Sequence, residues 1–193
     1  MTKPDLRMKD NFPLLKILFL ILFGFLADTR IVAQVRFYAE TSDVKFFSDG
    51  IIEDISAENK NVTSIFDVRK NEIAFLIKVR DFEFEKKLMQ VHFNEKFLES
   101  DKYPKATFVG NLIGFDIQKG GIQKVKADGR LFIHGVTRDA SMTGTVEVKG
   151  RNVIMKSKFK VKLADYNITI PQVVWQNISE EVEVTVEFLY SPL

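Results

Sequence analysis

Cysteine is absent from this sequence, which removes disulfide bridges, thiolate nucleophiles, thiolate metal sites and a lipid-modified cysteine. Histidine is nearly absent, with only His92 and His134. Two imidazoles without a carboxylate pair at ligand spacing fall short of the three or four ligands a metal centre needs. No metal and no other cofactor is therefore expected. The glycines form no phosphate-cradling loop between a strand and a helix, and no nucleophile elbow or other catalytic signature appears. Glu83/Glu85 and Glu180/Glu181 could be imagined as acid–base pairs, but both sit in alternating or charged contexts that read as solvated sheet surface. An enzyme is not expected. An excess of one charge is also missing: beyond residue 33, Lys and Arg balance Asp and Glu. A neutral body with interspersed charges has no electrostatic footprint for nucleic acid.

Long hydrophobic runs are scarce as well. The one clear run, Ile17 to Ala27, follows Lys9 and Lys16 and is broken by Asp28, Thr29 and Arg30 before Ile31-Val32-Ala33-Gln34. A spanning helix needs about 20 apolar residues to cross the hydrocarbon, and this run is much shorter. A basic start, a short apolar middle and a small residue at the cut describe a secretory signal peptide. Residues 1–33 are read as that signal, cleaved after Ala33, and residues 34–193 as one exported domain. No stable membrane span is expected once the signal is removed.

Phenylalanine, by contrast, is plentiful: 18 residues against one Trp and four Tyr. So many rings must fill a core or line a space. Period-two alternation shows where they go, because successive side chains of a strand point to opposite faces. Ile73, Phe75, Ile77 and Val79 alternate with Glu72, Ala74, Leu76, Lys78 and Arg80. Val125, Ala127, Leu131 and Ile133 share one phase. Phe159, Val161 and Leu163 alternate with Lys158, Lys160 and Lys162, and Val182, Val184, Val186 and Phe188 with Glu183, Thr185 and Glu187. Each segment reads as a strand with one dry face and one wet face.

Turn residues punctuate these strands at Ser48-Asp49-Gly50, Arg69-Lys70-Asn71, Lys119-Gly120-Gly121, His134-Gly135 and Lys149-Gly150-Arg151. Glycine and asparagine supply the positive φ of tight reversals. Short turns imply antiparallel neighbours, since a parallel pair needs a long crossover. The pattern leaves sandwich and barrel both open. One segment departs from it: Met89, Phe93 and Phe97 fall four apart, which stacks them on one side of a short helix.

Three stretches carry a family resemblance. They are Glu99-Ser-Asp-Lys-Tyr-Pro-Lys-Ala-Thr-Phe108, Gly129-Arg-Leu-Phe-Ile-His-Gly-Val-Thr-Arg138, and Lys160-Val-Lys-Leu-Ala-Asp-Tyr-Asn-Ile168 ahead of Pro171. As a set they resemble the YceI-like family of lipid or polyisoprenoid binders of the bacterial periplasm, over roughly Asp54 to the C-terminus. Val44 to Gly50 and Ile52 to Lys60 depart from the histidine-containing opening strand of longer members and resemble a shorter variant. The resemblance implies an all-β, lipocalin-like antiparallel barrel of about eight strands with a short helix. It also implies a periplasmic location, with secretion as the alternative.

In such a barrel the inward phase presents Phe75, Ile77, Val79, Phe82, Phe84, Phe108, Leu112, Leu131, Ile133, Met155, Phe159, Val161, Val184, Val186 and Phe188, with Trp175 at a mouth. Val109, Ile113 and Phe115 compete on the other phase of the Phe108 strand. His134 and Lys102 are candidate polar groups at the rim. The expected partner is an apolar lipid or isoprenoid, bound without catalysis. The alternative is a structural or adhesive exported β-domain with a packed core and no ligand. The oligomeric state is left open, with a homodimer as one option.

Overall fold

The computed structural model describes residues 36–50, 53–170 and 178–193. The signal expected over 1–33 and the mouth position expected for Trp175 lie outside the described residues. Ten strands follow in order: β1 (Arg36–Ser48), β2 (Ile55–Asn59), β3 (Thr63–Asp67), β4 (Glu72–Lys78), β5 (Glu83–Phe84), β6 (Lys105–Ile113), β7 (Gly121–Ile133), β8 (Val136–Lys149), β9 (Asn152–Lys162) and β10 (Glu181–Pro192). A short helix, α1 (Lys87–His92), continues into a wider helical turn, Phe93–Phe97, between β5 and β6.

Every pairing is antiparallel, and β1 closes the sheet by pairing with β10 from Phe37↔Pro192 to Phe47↔Glu183. The closed circuit runs β1-β3-β4-β6-β7-β8-β9-β10, eight strands, with β2 and β5 as a two-strand flap beside the second half of β1. Sandwich is thereby excluded and barrel established.

The flap exists because one strand is broken in two. β3 pairs with the start of β1 and β2 with its end, and Lys60-Asn61-Val62 lies between them. Side chains replace the missing ladder there. Ser42 Oγ accepts from Val62 N–H at 2.9 Å and donates to Lys60 C=O at 2.9 Å. Asn59, fully buried, donates through Nδ2 to Lys78 C=O at 3.0 Å and accepts from Asn61 N–H at 2.9 Å. Both polar residues are tolerated inside because the backbone groups at a break need partners.

The turns match their residues. His134 and Gly135, both at positive φ (49° and 80°), connect the Ile133↔Val136 pair, the arrangement of a two-residue hairpin whose twist suits its strands. Gly110 and Gly129 pair across β6 and β7. A Cβ on Gly129 would stand 2.3 Å from Val109 O and 2.9 Å from the Phe108 ring. The absent side chains leave room for Phe108, which is 1% exposed. On the same strand Val109 and Ile113 face outward and are exposed, whereas Phe115, beyond the strand end, turns in against Phe66 with ring centroids 5.4 Å apart.

The interior is divided. At the end formed by the start of β1 and the finish of β10, Phe37, Phe66, Phe115, Phe188 and Tyr190 pack ring against ring. That half is solid.

Candidate functional site

The other half is hollow. A cavity of about 440 Å³ occupies the barrel from the middle of the sheet to α1, within the range of small-molecule sites. Strand register explains its wall. Val44 stands beside Val186 and Phe46 beside Val184, while Val184 faces Phe159 and Val182 faces Val161. From the other side come Phe75, Ile77 and Val79 of β4 and the turn after it, and Leu131 and Ile133 of β7. Phe82 and Phe84 close the flap side. Each is an alternate residue of its strand, so apolar side chains converge without any special device.

The floor is aromatic. Phe75 stacks on Phe108 at 5.4 Å and meets Phe188 at 5.8 Å. Phe75, Phe159 and Val186 touch both the large cavity and a second void of about 50 Å³ beneath it. Phe108, Leu112, Met155 and Phe188, grouped by alternation with the cavity wall, stand around that lower void instead. The reason is depth. Alternation sorts inside from outside and does not tell one end of a barrel from the other.

The roof is α1 with the turn after it. Met89, Phe93 and Phe97, the four-apart series, all line the cavity, as do Leu88 and His92. Phe93 is held in a cage, with ring centroids 5.4 Å from Phe46, 5.6 Å from Phe82 and 5.0 Å from Phe84. Such pairs contribute beyond their buried area. No residue of α1 or of the following turn is fully buried. The wall also includes Glu53, Lys86 and Leu88, all exposed, so the cavity reaches solvent beside the first turn of α1. Lys86 Nζ pairs there with a Glu53 carboxylate oxygen, and Glu53 holds Lys86 above the usual lysine range through that hydrogen bond and its charge.

Val44, Phe46, Met89, His92 and Phe93 were not among the expected wall residues. For Val44 and Phe46 the signal was the alternation Val44, Phe46, Ser48 against Lys45 and Phe47. It is blurred by adjacent phenylalanines and by inward serines whose partners are backbone groups.

His134 and Lys102, expected at the rim, are not on the cavity wall, and the hairpin geometry gives the reason. The His134-Gly135 turn aims the imidazole at Glu99 Oε2 (Nε2, 2.9 Å) and at Tyr166 C=O (Nδ1, 3.1 Å). The Tyr166 carbonyl can only accept, so that contact uses the Nδ1–H. The Tyr103 ring packs edge-on against the imidazole at 4.4 Å, with Lys102 Nζ 4.9 Å from the Tyr103 centroid. Glu99 to Tyr103 and the hairpin thus form a latch that fixes the roof's exit to the barrel.

Among the described residues no group of three or more His, Asp or Glu is arranged to hold a metal, and no helix is long and apolar enough to cross a membrane.

Comparison with known proteins gives the same architecture. The YceI-like domain family matches residues 34–189. The fold is similar to a polyisoprenoid binding domain from Saccharophagus degradans implicated in plant cell wall breakdown. That likeness has TM-score 0.70 at 15% identity, covering 81% of this chain and 98% of that one. It is similar also to BcnA of Burkholderia cenocepacia, with TM-score 0.66 at 20% identity over 77% and 95%. The Campylobacter jejuni YCEI protein follows, with TM-score 0.55 at 18% identity over 71% and 84%. No curated protein matches the chain.

Proposed function

Because this chain belongs to the YceI-like family, we propose that its barrel holds a long-chain apolar lipid, such as an isoprenoid, beneath α1 and carries or sequesters it without catalysis. One observation carries this reading: an apolar hollow of about 440 Å³ with an aromatic floor and a mouth beside α1. A structural domain with a filled core has no use for such a space, since each unfilled volume forfeits packing contacts. The polyisoprenoid binding domain among its structural neighbours lends the ligand class.

The driving force is ordinary burial. Each methylene removed from water contributes about 0.8 kcal/mol, so a ten-carbon stretch contributes about 8 kcal/mol before ordering costs. That is on the scale of micromolar affinity. Catalysis plays no part, because the wall is apolar apart from Ser48, Glu53, Lys86 and His92. Ser48 already accepts Ser179 N–H at 2.8 Å, and Glu53 and Lys86 hold each other.

On this reading residues 1–33 are a cleaved signal peptide and the barrel works in the periplasm, or outside the cell if secreted. The family match beginning at residue 34 supports that boundary. The test is organic extraction of protein purified from its own compartment, followed by mass spectrometry. A stoichiometric long-chain lipid is expected. A clean extract, together with no uptake of added long-chain lipid, would return the structural-domain alternative.

A further inference from the structure

A lipid held in this hollow has to enter it, and the surface around the mouth is not neutral toward that problem. Leu88 lines the cavity and is nonetheless 66% exposed, and Val91, one turn on, is 44% exposed. Residues three apart on a helix share a face, so α1 turns Met89 into the barrel, with Phe93 of the following turn, and Leu88 and Val91 out to water. Lys86 and Lys87 precede this apolar pair and Lys96 follows it. Glu53, Glu83, Glu85 and Glu95 bring the local charge close to formal balance. Lysines flanking exposed apolar side chains suit a bilayer interface, where their stems lie along apolar groups while the ammonium stays among head groups.

We propose that α1 docks on a lipid bilayer through Leu88 and Val91, placing the mouth against the bilayer so that ligand passes between membrane and hollow without crossing water. The inference rests on the lipid-carriage reading above and names the surface from which the cargo comes. Continuity commits the patch to this occupant. Leu88 belongs at once to the cavity wall and to the outer face, so whatever covers the face also meets the ligand's path. A bilayer supplies both an apolar cover and the cargo. Passage through water would expose every methylene of the chain. The docking is shallow and transient, because two side chains bury little area, and it tolerates salt, because the local charges nearly cancel.

The absence of native cysteine permits a direct test. Val91→Cys and Ile122→Cys are each labelled with an environment-sensitive dye in the mature protein. Ile122 serves as control because it is 71% exposed at the start of β7, at the packed end. Vesicles of phosphatidylethanolamine and phosphatidylglycerol are then added. A blue shift at position 91, absent at 122 and retained in high salt, is expected. In parallel, transfer of a fluorescent long-chain lipid from these vesicles should speed up with vesicle concentration. It should slow about tenfold in Val91→Asp, while loading of the same lipid from detergent micelles is unchanged. No shift at 91, equal shifts at both sites, or a transfer rate independent of vesicle concentration overturns the docking. Loading that fails from micelles, with the shift at 91 intact, overturns the carriage reading instead.

Discussion

Phe75 and Phe108 stack across the β4–β6 pair with ring centroids 5.4 Å apart and planes 24° from parallel, and this contact forms the boundary between hollow and solid barrel. Phe75 touches both the upper cavity and the lower void. Phe75→Ala should therefore join the two spaces. The expected destabilisation is about 3–5 kcal/mol, the usual result of deleting a buried ring, read from the urea midpoint. Lipids extracted from the variant should shift to longer chains. An unchanged chain-length distribution would show that the ligand does not reach the floor.

How far the sequence revealed this division is instructive. Alternation gave the inward faces of β4, β7, β9 and β10 correctly, down to Val184 and Val186, because each strand has one wet face rich in lysine or glutamate. The short helix was legible from Met89, Phe93 and Phe97. β1 to β3 were not. Their inward positions include Ser42, Ser48, Asn59 and Ser64, buried polar residues whose partners are backbone groups or a distant tyrosine. A pattern of apolar alternation passes over such residues. The height of a residue along the barrel depends on register between strands far apart in sequence, which is why Phe108, Leu112, Met155 and Phe188 could be placed inside but not beneath the floor. His134 sits in a hairpin turn, and its contacts with Glu99 and Tyr166 join segments 35 and 32 residues away in sequence, which no local pattern reveals.

At the packed end, Tyr190 is fully buried, and its hydroxyl meets Ser64 Oγ at 2.5 Å while Ser64 Oγ donates to Ala74 C=O at 2.9 Å. Tyr190 O–H is then the donor to Ser64. Burial drives the Tyr190 hydroxyl well above the usual tyrosine range, with the Ser64 bond opposing only part of the effect. The two deletions should be unequal. Tyr190→Phe removes both the donor and its need, costing about 1 kcal/mol, whereas Ser64→Ala strands a buried hydroxyl and costs about 1–3 kcal/mol. In the double variant the second change should add little to Tyr190→Phe. Additive losses in denaturant titrations would rule out the coupling.

Asp67 sets an acid limit. Burial acts to raise its carboxyl, but N–H groups of Lys70 and Arg69 and the Arg36 side chain outweigh it and hold the group below the usual aspartate range. A depressed folded value means the unfolded chain takes up the proton first, so the contribution is complete above the unfolded value, about 3.9, and fades as pH falls through the folded one. Wild type should therefore lose stability relative to Asp67→Asn below about pH 4. Parallel unfolding midpoints for the two proteins across that range would remove Asp67 from the account.

Gly135 tests the latch. Its φ of 80° is one that other residues adopt only with strain, and an added Cβ would lie 2.6 Å from Tyr103 Cε1. Gly135→Ala should cost about 1–3 kcal/mol from backbone strain alone and also push Tyr103 off His134. Tyr103→Leu in the same chain should recover the steric part and leave the conformational part. Recovery is measured by thermal unfolding. If the double variant is no more stable than Gly135→Ala, the ring contact carries no weight.

Filling the hollow separates binding from folding more sharply than any deletion. Val184 faces the cavity between Phe46 of β1 and Phe159 of β9. In a packed core, enlarging a valine to phenylalanine forces neighbours off their rotamers and costs about 1–3 kcal/mol. Here the new ring has empty space to enter, and the wall atoms that now face nothing gain partners. Val184→Phe should accordingly fold with stability equal to or above that of the delipidated wild type, while its lipid occupancy falls about tenfold or more. The pairing of those outcomes is the discriminating result. A loss of stability typical of overpacking would mean that the barrel is solid in solution. Unaltered occupancy with a well-folded protein would mean that the lipid lies outside the hollow.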